Sequence, residues 1–393
     1  MLHRKFDFVK AFFFLSFLFL SNNCIDPVSP EFEFKEGLLF VEGFASTSSG
    51  ASFVIITESV IEFGVYGTKF LQGATVSFVN SNTGEEVVLT EELGSYVPPD
   101  DFVVSVGQTW EVEILLADGR MYKSEPDTVI EPVEIKNIIA QYNPELLYRE
   151  STNKFVPGHQ VSVSFDDPAD KENYYYWSFR SFENLDFCEK CYESVFRNDA
   201  CVTNPYAMPP PTGSDARNYY DYSCESDCWK IRFPESITIY SDKFSDGNSV
   251  NQMPIANILL YTKEDVVVEV QQFSLPLSTY DYYKTLKDII DNNSGFNAPP
   301  PAGLIGNIYS PNDSEDFIFG RFTAASTSTA YIFIDRTDIS ELPIETREPL
   351  KFEGCETCPP GTCPFGDCSP VTSAPCSERR YRTAIVPPGW IEN

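Results

Sequence analysis

The sequence runs to 393 residues, enough for two domains and a sizeable core, and its 42% apolar and 15% aromatic content excludes disorder as the dominant state. Lys and Arg total 28 against 58 Asp and Glu, a net charge of −30, so the surface repels phosphate backbones and nucleic-acid binding is excluded. With His3 and His159 the only histidines, little His-dependent catalysis or zinc chemistry is open to it.

Residues 1–23 read as an export signal: Arg4, Lys5 and Lys10 are basic, and 11–20 (AFFFLSFLFL) is apolar apart from Ser16. That run is about half the length of a spanning helix. Cys24 follows directly, as in a bacterial lipobox, where the thiol is acylated and becomes the mature first residue; Asn22 and Asn23 replace the usual small pair. Cys24 is therefore the expected lipidation site and membrane anchor, the alternative being plain secretion with Cys24 in a disulfide. Residues 24–36 form a tether that Pro27 and Pro30 keep extended.

From 37 to 137 the pattern has period two. Trp110, Val112, Ile114 and Leu116 alternate with Glu111, Glu113 and Leu115, and Asp118-Gly119 offers a type I′ turn into a hairpin partner at 120–124. Further β-rich runs at 38–41, 53–57, 75–79, 87–90 and 102–106 bring the expected strands to seven, an immunoglobulin-like sandwich. Glu131-Pro132 marks a junction. A larger β-rich domain is expected over 138–348, with strands at 160–165, 174–180, 236–241, 255–261, 266–273, 317–325 and 330–334. One amphipathic helix interrupts it near 278–291, with Ser278-Thr279-Tyr280-Asp281 as its capping sequence and Tyr280, Tyr283, Leu286, Ile289 and Ile290 on one face. Residues 349–393 are a Cys- and Pro-rich tail with too few large apolar groups for a core. The fold class is mainly all-β.

After Cys24, the cysteines fall into two clusters of odd number: Cys188, Cys191, Cys201, Cys224 and Cys228, then Cys355, Cys358, Cys363, Cys368 and Cys376. If all ten pair, at least one disulfide ties the tail to the middle cluster. The Cys188-x-x-Cys191 and Cys355-x-x-Cys358 spacings also suit zinc or redox chemistry, but an oxidising compartment favours disulfides, and no metal or cofactor is expected. His159 reads as a surface histidine at the start of a strand, without a nucleophile motif beside it. Asp166, Asp167, Asp170 and Glu172 read as a solvated loop, because EF-hand spacing is absent. In the aromatic run 174–179 (YYYWSF), Tyr175, Trp177 and Phe179 share a core face, whereas Tyr174 and Tyr176, with Arg180, form a possible ligand face.

Several short motifs occur in a distinctive order: Val41-Glu42-Gly43, Gly73-Ala74-Thr75-Val76, Gly107-Gln108-Thr109-Trp110, Cys228-Trp229, Tyr280-Asp281-Tyr282-Tyr283, Gly306-Asn307-Ile308, Gly320-Arg321-Phe322 and Pro388-Gly389-Trp390. Together they resemble a Bacteroidota family of outer-membrane lipoproteins known as domain of unknown function 4249, over about Leu38 to Trp390. The cysteines of 363–376 go beyond that family's usual tail. The resemblance implies a companion of a TonB-dependent outer-membrane transporter, sitting over the barrel as a lid or ligand-capturing lipoprotein, with no catalytic residues to carry over. The expectation is thus a lipid-anchored, non-catalytic protein of the outer membrane, displayed at the cell surface, with an unknown ligand. A structural envelope subunit and an exported glycan or peptide hydrolase are the alternatives.

Overall fold

The computed structural model describes residues 36–62, 65–150, 152–203, 219–291, 305–345, 350–352 and 371–392. The signal, Cys24, Cys355, Cys358, Cys363 and Cys368 lie outside the described residues. The organising element is the strand Phe319–Ile334, sixteen residues long and buried on both faces over most of its length. Sequence alternation divides it into two strands at 317–325 and 330–334. The structure runs them together, because the small residues of Ala324 to Ala330 (AASTSTA) pack under both layers without breaking the ladder.

On one side Phe319–Ile334 pairs antiparallel with Val266–Leu275, which pairs with Tyr174–Asn184 and, through it, with Trp229–Arg232 and Thr238–Ser241. On the other side it pairs in parallel with Leu39–Ser46, followed by Phe53–Glu62. One eleven-stranded sheet therefore runs through both halves of the chain. Two smaller sheets cover it. A six-stranded sheet built on Thr75–Asn80, Thr109–Leu115 and Met121–Ser124 closes the first sandwich, and a three-stranded sheet of Ile135–Arg149, Lys154–Asp166 and Ser249–Leu259 lies over the second.

The division at 137/138 drawn from the pattern is crossed by this architecture. The first core joins Leu39, Val54, Phe78, Trp110 and Tyr122 to Ile308, Ile318 and Phe322 from far downstream. A parallel pairing of such long range leaves no mark on local periodicity. Gly320 permits it: at φ +106° it faces Val41, whose carbonyl oxygen lies 1.9 Å from where a Cβ would stand. Residues 102–106 are not a strand; they run as a loop that buries Val104. The hairpin at Asp118-Gly119 forms, but only Gly119 takes positive φ, so the turn is a bulged one and not type I′.

The helix spans Leu277–Asp291 and lies on the outer face of the large sheet. It begins at Pro276, whose carbonyl accepts from the Thr279 and Tyr280 amides, so Ser278 does not cap it. Thr279 and Tyr283 are its buried residues, while Ile290 is exposed. Tyr283 stacks on Tyr176 at 4.7 Å, and Phe44 and Phe273 complete that cluster. The Thr279 hydroxyl oxygen accepts from Arg321, which also pairs with Asp127 at 3.2 Å. All three are buried, and the triad pins the helix to both layers of the first sandwich.

Candidate functional site

The three-stranded sheet is narrower than the layer it covers, and the second sandwich is left open along one side. There a groove of about 890 Å³ lies between the layers, within the size range of ligand sites. Its floor is the inward row of strand Tyr174–Asn184: Phe179, Ser181 and Glu183 continue the alternation that buries Tyr175 and Trp177. One wall is Lys230 to Ser236 and the other Pro254 to Leu259; Tyr261, Arg336 and Tyr381 close the far end.

Charge is concentrated at that end. Arg336 is 1% exposed; its Nη1 donates to Glu183 at 2.6 Å and its Nη2 to the Leu259 carbonyl at 3.2 Å, while its Nε has no partner. Burial holds its pKa below the usual arginine value, against the pull of Glu183. Arg232 donates to Glu183 at 3.4 Å and to Glu345 at 3.0 Å. Its guanidinium lies 3.6 Å from the centre of the Tyr261 ring, and its Nε is buried with no partner among the described residues. Three basic residues (Lys230, Arg232, Arg336) and two acidic ones (Glu183, Glu235) line the groove, and the exposed Glu345 pairs with both Lys230 and Arg232, so the cluster is balanced in charge. Such a site can hold a carboxylate while its apolar walls accept the rest of a ligand.

None of these residues was singled out from sequence, yet a signal existed. Counting alternate positions from Tyr175 puts Glu183 on the core face, where a carboxylate demands a buried cation.

The residues expected to form a ligand face are elsewhere. Tyr176 is buried beneath the helix, and Tyr174 packs on Tyr280 and donates to Glu172. Arg180 makes a bidentate pair with Glu269. The chain's own helix covers Tyr174 and Tyr176, and Glu269 engages Arg180, which corrects the ligand reading of these three residues. His159 is not on the surface either: it is 5% exposed, packs on Tyr142, and its Nδ1 has no partner. Burial first, and Arg336 second, lower its pKa to about 4.

The acidic loop is also less solvated than its composition suggests. Asp167 is buried, and its carboxylate lies with those of Asp242 and Asp246 in a group whose oxygens are within 4.8 Å of one another. Burial and these like charges raise the Asp167 pKa. Each carboxylate holds its own loops. Asp167 accepts from the Tyr175 hydroxyl and the Gly247 amide, Asp242 from Asn173, and Asp246 from the Asp170 amide.

Among the described residues, three disulfides join Cys188 to Cys224, Cys191 to Cys201 and Cys228 to Cys376. The last ties the tail to the middle cluster across 148 residues, and all six sulfurs are thereby removed from thiolate chemistry. The tail also pairs Arg382–Thr383 with Trp229–Arg232 and sets Trp390 edge-on to Trp229 and Phe333, so it braces the strand that carries Arg232.

A family model described as a domain of unknown function (DUF4249) matches residues 25–330. The chain belongs to this family. No curated protein matches it. The DUF4249 match ends inside the strand Phe319–Ile334, so Pro388-Gly389-Trp390 lies beyond it. Within the match, the motif residues have structural roles. The Asn307 side chain bridges the Phe322 amide and carbonyl, acting as one more rung of a ladder, and Arg321 anchors the helix.

Proposed function

We propose that the chain is a lipid-anchored, non-catalytic protein of the Bacteroidota outer membrane, displayed at the cell surface, which captures a ligand in the groove and serves as accessory partner of a TonB-dependent transporter. The address rests on the export signal, on Cys24 and on the family. Capture rests on one observation: an open groove with partly apolar walls in which half-buried Arg232 is held by the exposed Glu345, a partner that a ligand carboxylate can replace. The scaffold suits this role, because the large sheet and the Cys228–Cys376 disulfide brace the wall that carries Arg232.

Mass spectrometry of the mature terminus is expected to find an acylated Cys24, and mild detergent extraction is expected to bring down a large barrel. An unmodified terminus with no barrel in repeated extractions overturns the proposal. A deletion strain with intact nutrient uptake but a leaky envelope would favour a structural subunit instead.

A further inference from the structure

A face of a β-strand lines a cavity with alternate residues; an edge lines it with consecutive ones. The groove is lined by every residue from Pro254 to Leu259, so on that side it looks onto a strand edge, while the opposite wall, Lys230 to Ser236, is the end of a strand paired on both sides and the loop that follows it. Among the described residues, strand Ser249–Leu259 is the outermost of its sheet and pairs only with Lys154–Asp166. The Leu260 amide donates to the Pro157 carbonyl, which makes Leu260 and Pro157 a bonded pair. In an antiparallel ladder bonded and non-bonded pairs alternate, so the Leu259–Gly158 and Asn257–Gln160 pairs are non-bonded and the N–H and C=O groups of Leu259 and Asn257 point away from the ladder.

Two contacts agree with this. The Leu259 carbonyl accepts from Arg336, and the Ile255 carbonyl from the Thr238 hydroxyl at 3.1 Å. Between them the Asn257 amide and carbonyl and the Leu259 amide face the groove. On the opposite wall the Ile231 amide is already bonded to the Tyr381 carbonyl. The free edge is therefore on one side and the cationic Arg232 and Lys230 are on the other.

We infer that the groove takes an extended segment of a partner polypeptide, which adds a strand along Ile255 to Leu259 and sets an acidic side chain against Arg232. The inference rests on the groove being the capture site and names what it captures. Backbone pairing gives affinity without sequence demand, and Arg232, seated on Tyr261 and paired with the exposed Glu345, whose place a ligand carboxylate can take, supplies the preference for a carboxylate. Apolar residues of the segment alternate onto Phe233 and Tyr381. A compact small molecule would leave the outward amides of Asn257 and Leu259 without partners.

The test uses purified mature protein and a blocked hexapeptide of alternating valine and polar residues with one central glutamate, followed by fluorescence anisotropy. Its controls are the same peptide with lysine for glutamate, a version methylated on alternate backbone nitrogens, and octanoate as a small amphiphilic anion. Saturable binding of the glutamate peptide is expected, about tenfold or more tighter than the lysine peptide. Binding is expected to fall at least about tenfold on backbone methylation and in Asn257→Pro, which removes one outward donor at an edge position that tolerates proline. A thermal melt unchanged by Asn257→Pro shows that the ladder to Lys154–Asp166 survives.

No saturable binding up to about 1 mM, or equal binding after methylation, overturns the inference. Octanoate that binds and displaces the peptide at lower concentration also overturns it, in favour of a small amphiphile. These measurements need no membrane, so they stand or fall apart from the lipid anchor and the transporter, which the detergent extraction tests.

Discussion

The two sandwiches share one sheet and differ in how completely their second layer covers it. In the first, six strands and the downstream residues Ile308, Ile318 and Phe322 close the core, and its buried Arg321–Asp127 pair is sealed under the helix. In the second, three strands leave one side open. Its arginine cluster is graded, from Arg336 at 1% exposure to Arg232, whose side chain is 21% exposed at the groove. The same chemistry, guanidinium against buried carboxylate, is sealed where the layers are complete and reaches an open groove where they are not.

Cys376→Ser gives the largest expected effect. It opens a loop of 148 residues, for which chain entropy predicts a loss of about 5 kcal/mol, and frees the tail that braces Trp229–Arg232. Urea unfolding under non-reducing conditions measures it. If the second sandwich depends on this brace more than the first, hydrogen exchange will rise in strand Tyr174–Asn184 before it rises in strand Phe53–Glu62.

Arg321→Met tests the sealed pair. It leaves Asp127 as an uncompensated buried carboxylate, a cost of about 3–5 kcal/mol, and removes the partner that holds Thr279. The double variant Arg321→Met, Asp127→Leu recovers most of that loss if the pair itself, and not local packing, is the cause.

How much of this was legible in the sequence follows the range of the interactions. The hairpin around Gly119, the helix at Leu277–Asp291 and the inward row of Tyr175 and Trp177 were all readable, because periodicity and turn chemistry are local. The need for a tail-to-middle disulfide also followed, from the odd number in each cysteine cluster, although its partners did not. The shared sheet was not readable. Val41 and Gly320 meet in parallel across most of the chain, and nothing in either segment names the other. The groove was missed for a related reason. Its arginines come from separate strands and loops, and aromatic density drew the ligand reading to Tyr174 and Tyr176, which the helix covers.

His159 distinguishes the two halves by pH. Its folded pKa of about 4 lies below the unfolded value of about 6.5, so the folded state resists protonation. Its stabilising contribution is fully present above pH 6.5 and is lost as pH falls from there towards 4. The shift corresponds to roughly 3 kcal/mol at most. His159→Phe keeps the ring against Tyr142 and removes both the titration and the unpartnered Nδ1. Urea midpoints between pH 7 and pH 4.5 are expected to fall less in this variant than in the native chain. Equal slopes would assign the pH dependence to carboxylates elsewhere.

The smallest effect is the most informative about the groove. Arg232→Met removes a cation that is half-buried, shared between Glu183 and the exposed Glu345, and stacked on Tyr261. Glu183 keeps its short bond to Arg336, so no buried carboxylate is stranded, and a methionine side chain still covers the tyrosine ring. The expected loss is about 1 kcal/mol, well below that of Arg321→Met, because solvent reaches the site and the partner at Glu345 is exposed. A loss as large as that of Arg321→Met would mean that Arg232 is a lock like its counterpart in the first sandwich, and that the groove is a flaw in the packing with no receptive end. A small loss leaves Arg232 replaceable for folding, as a binding role at the charged end of the groove requires.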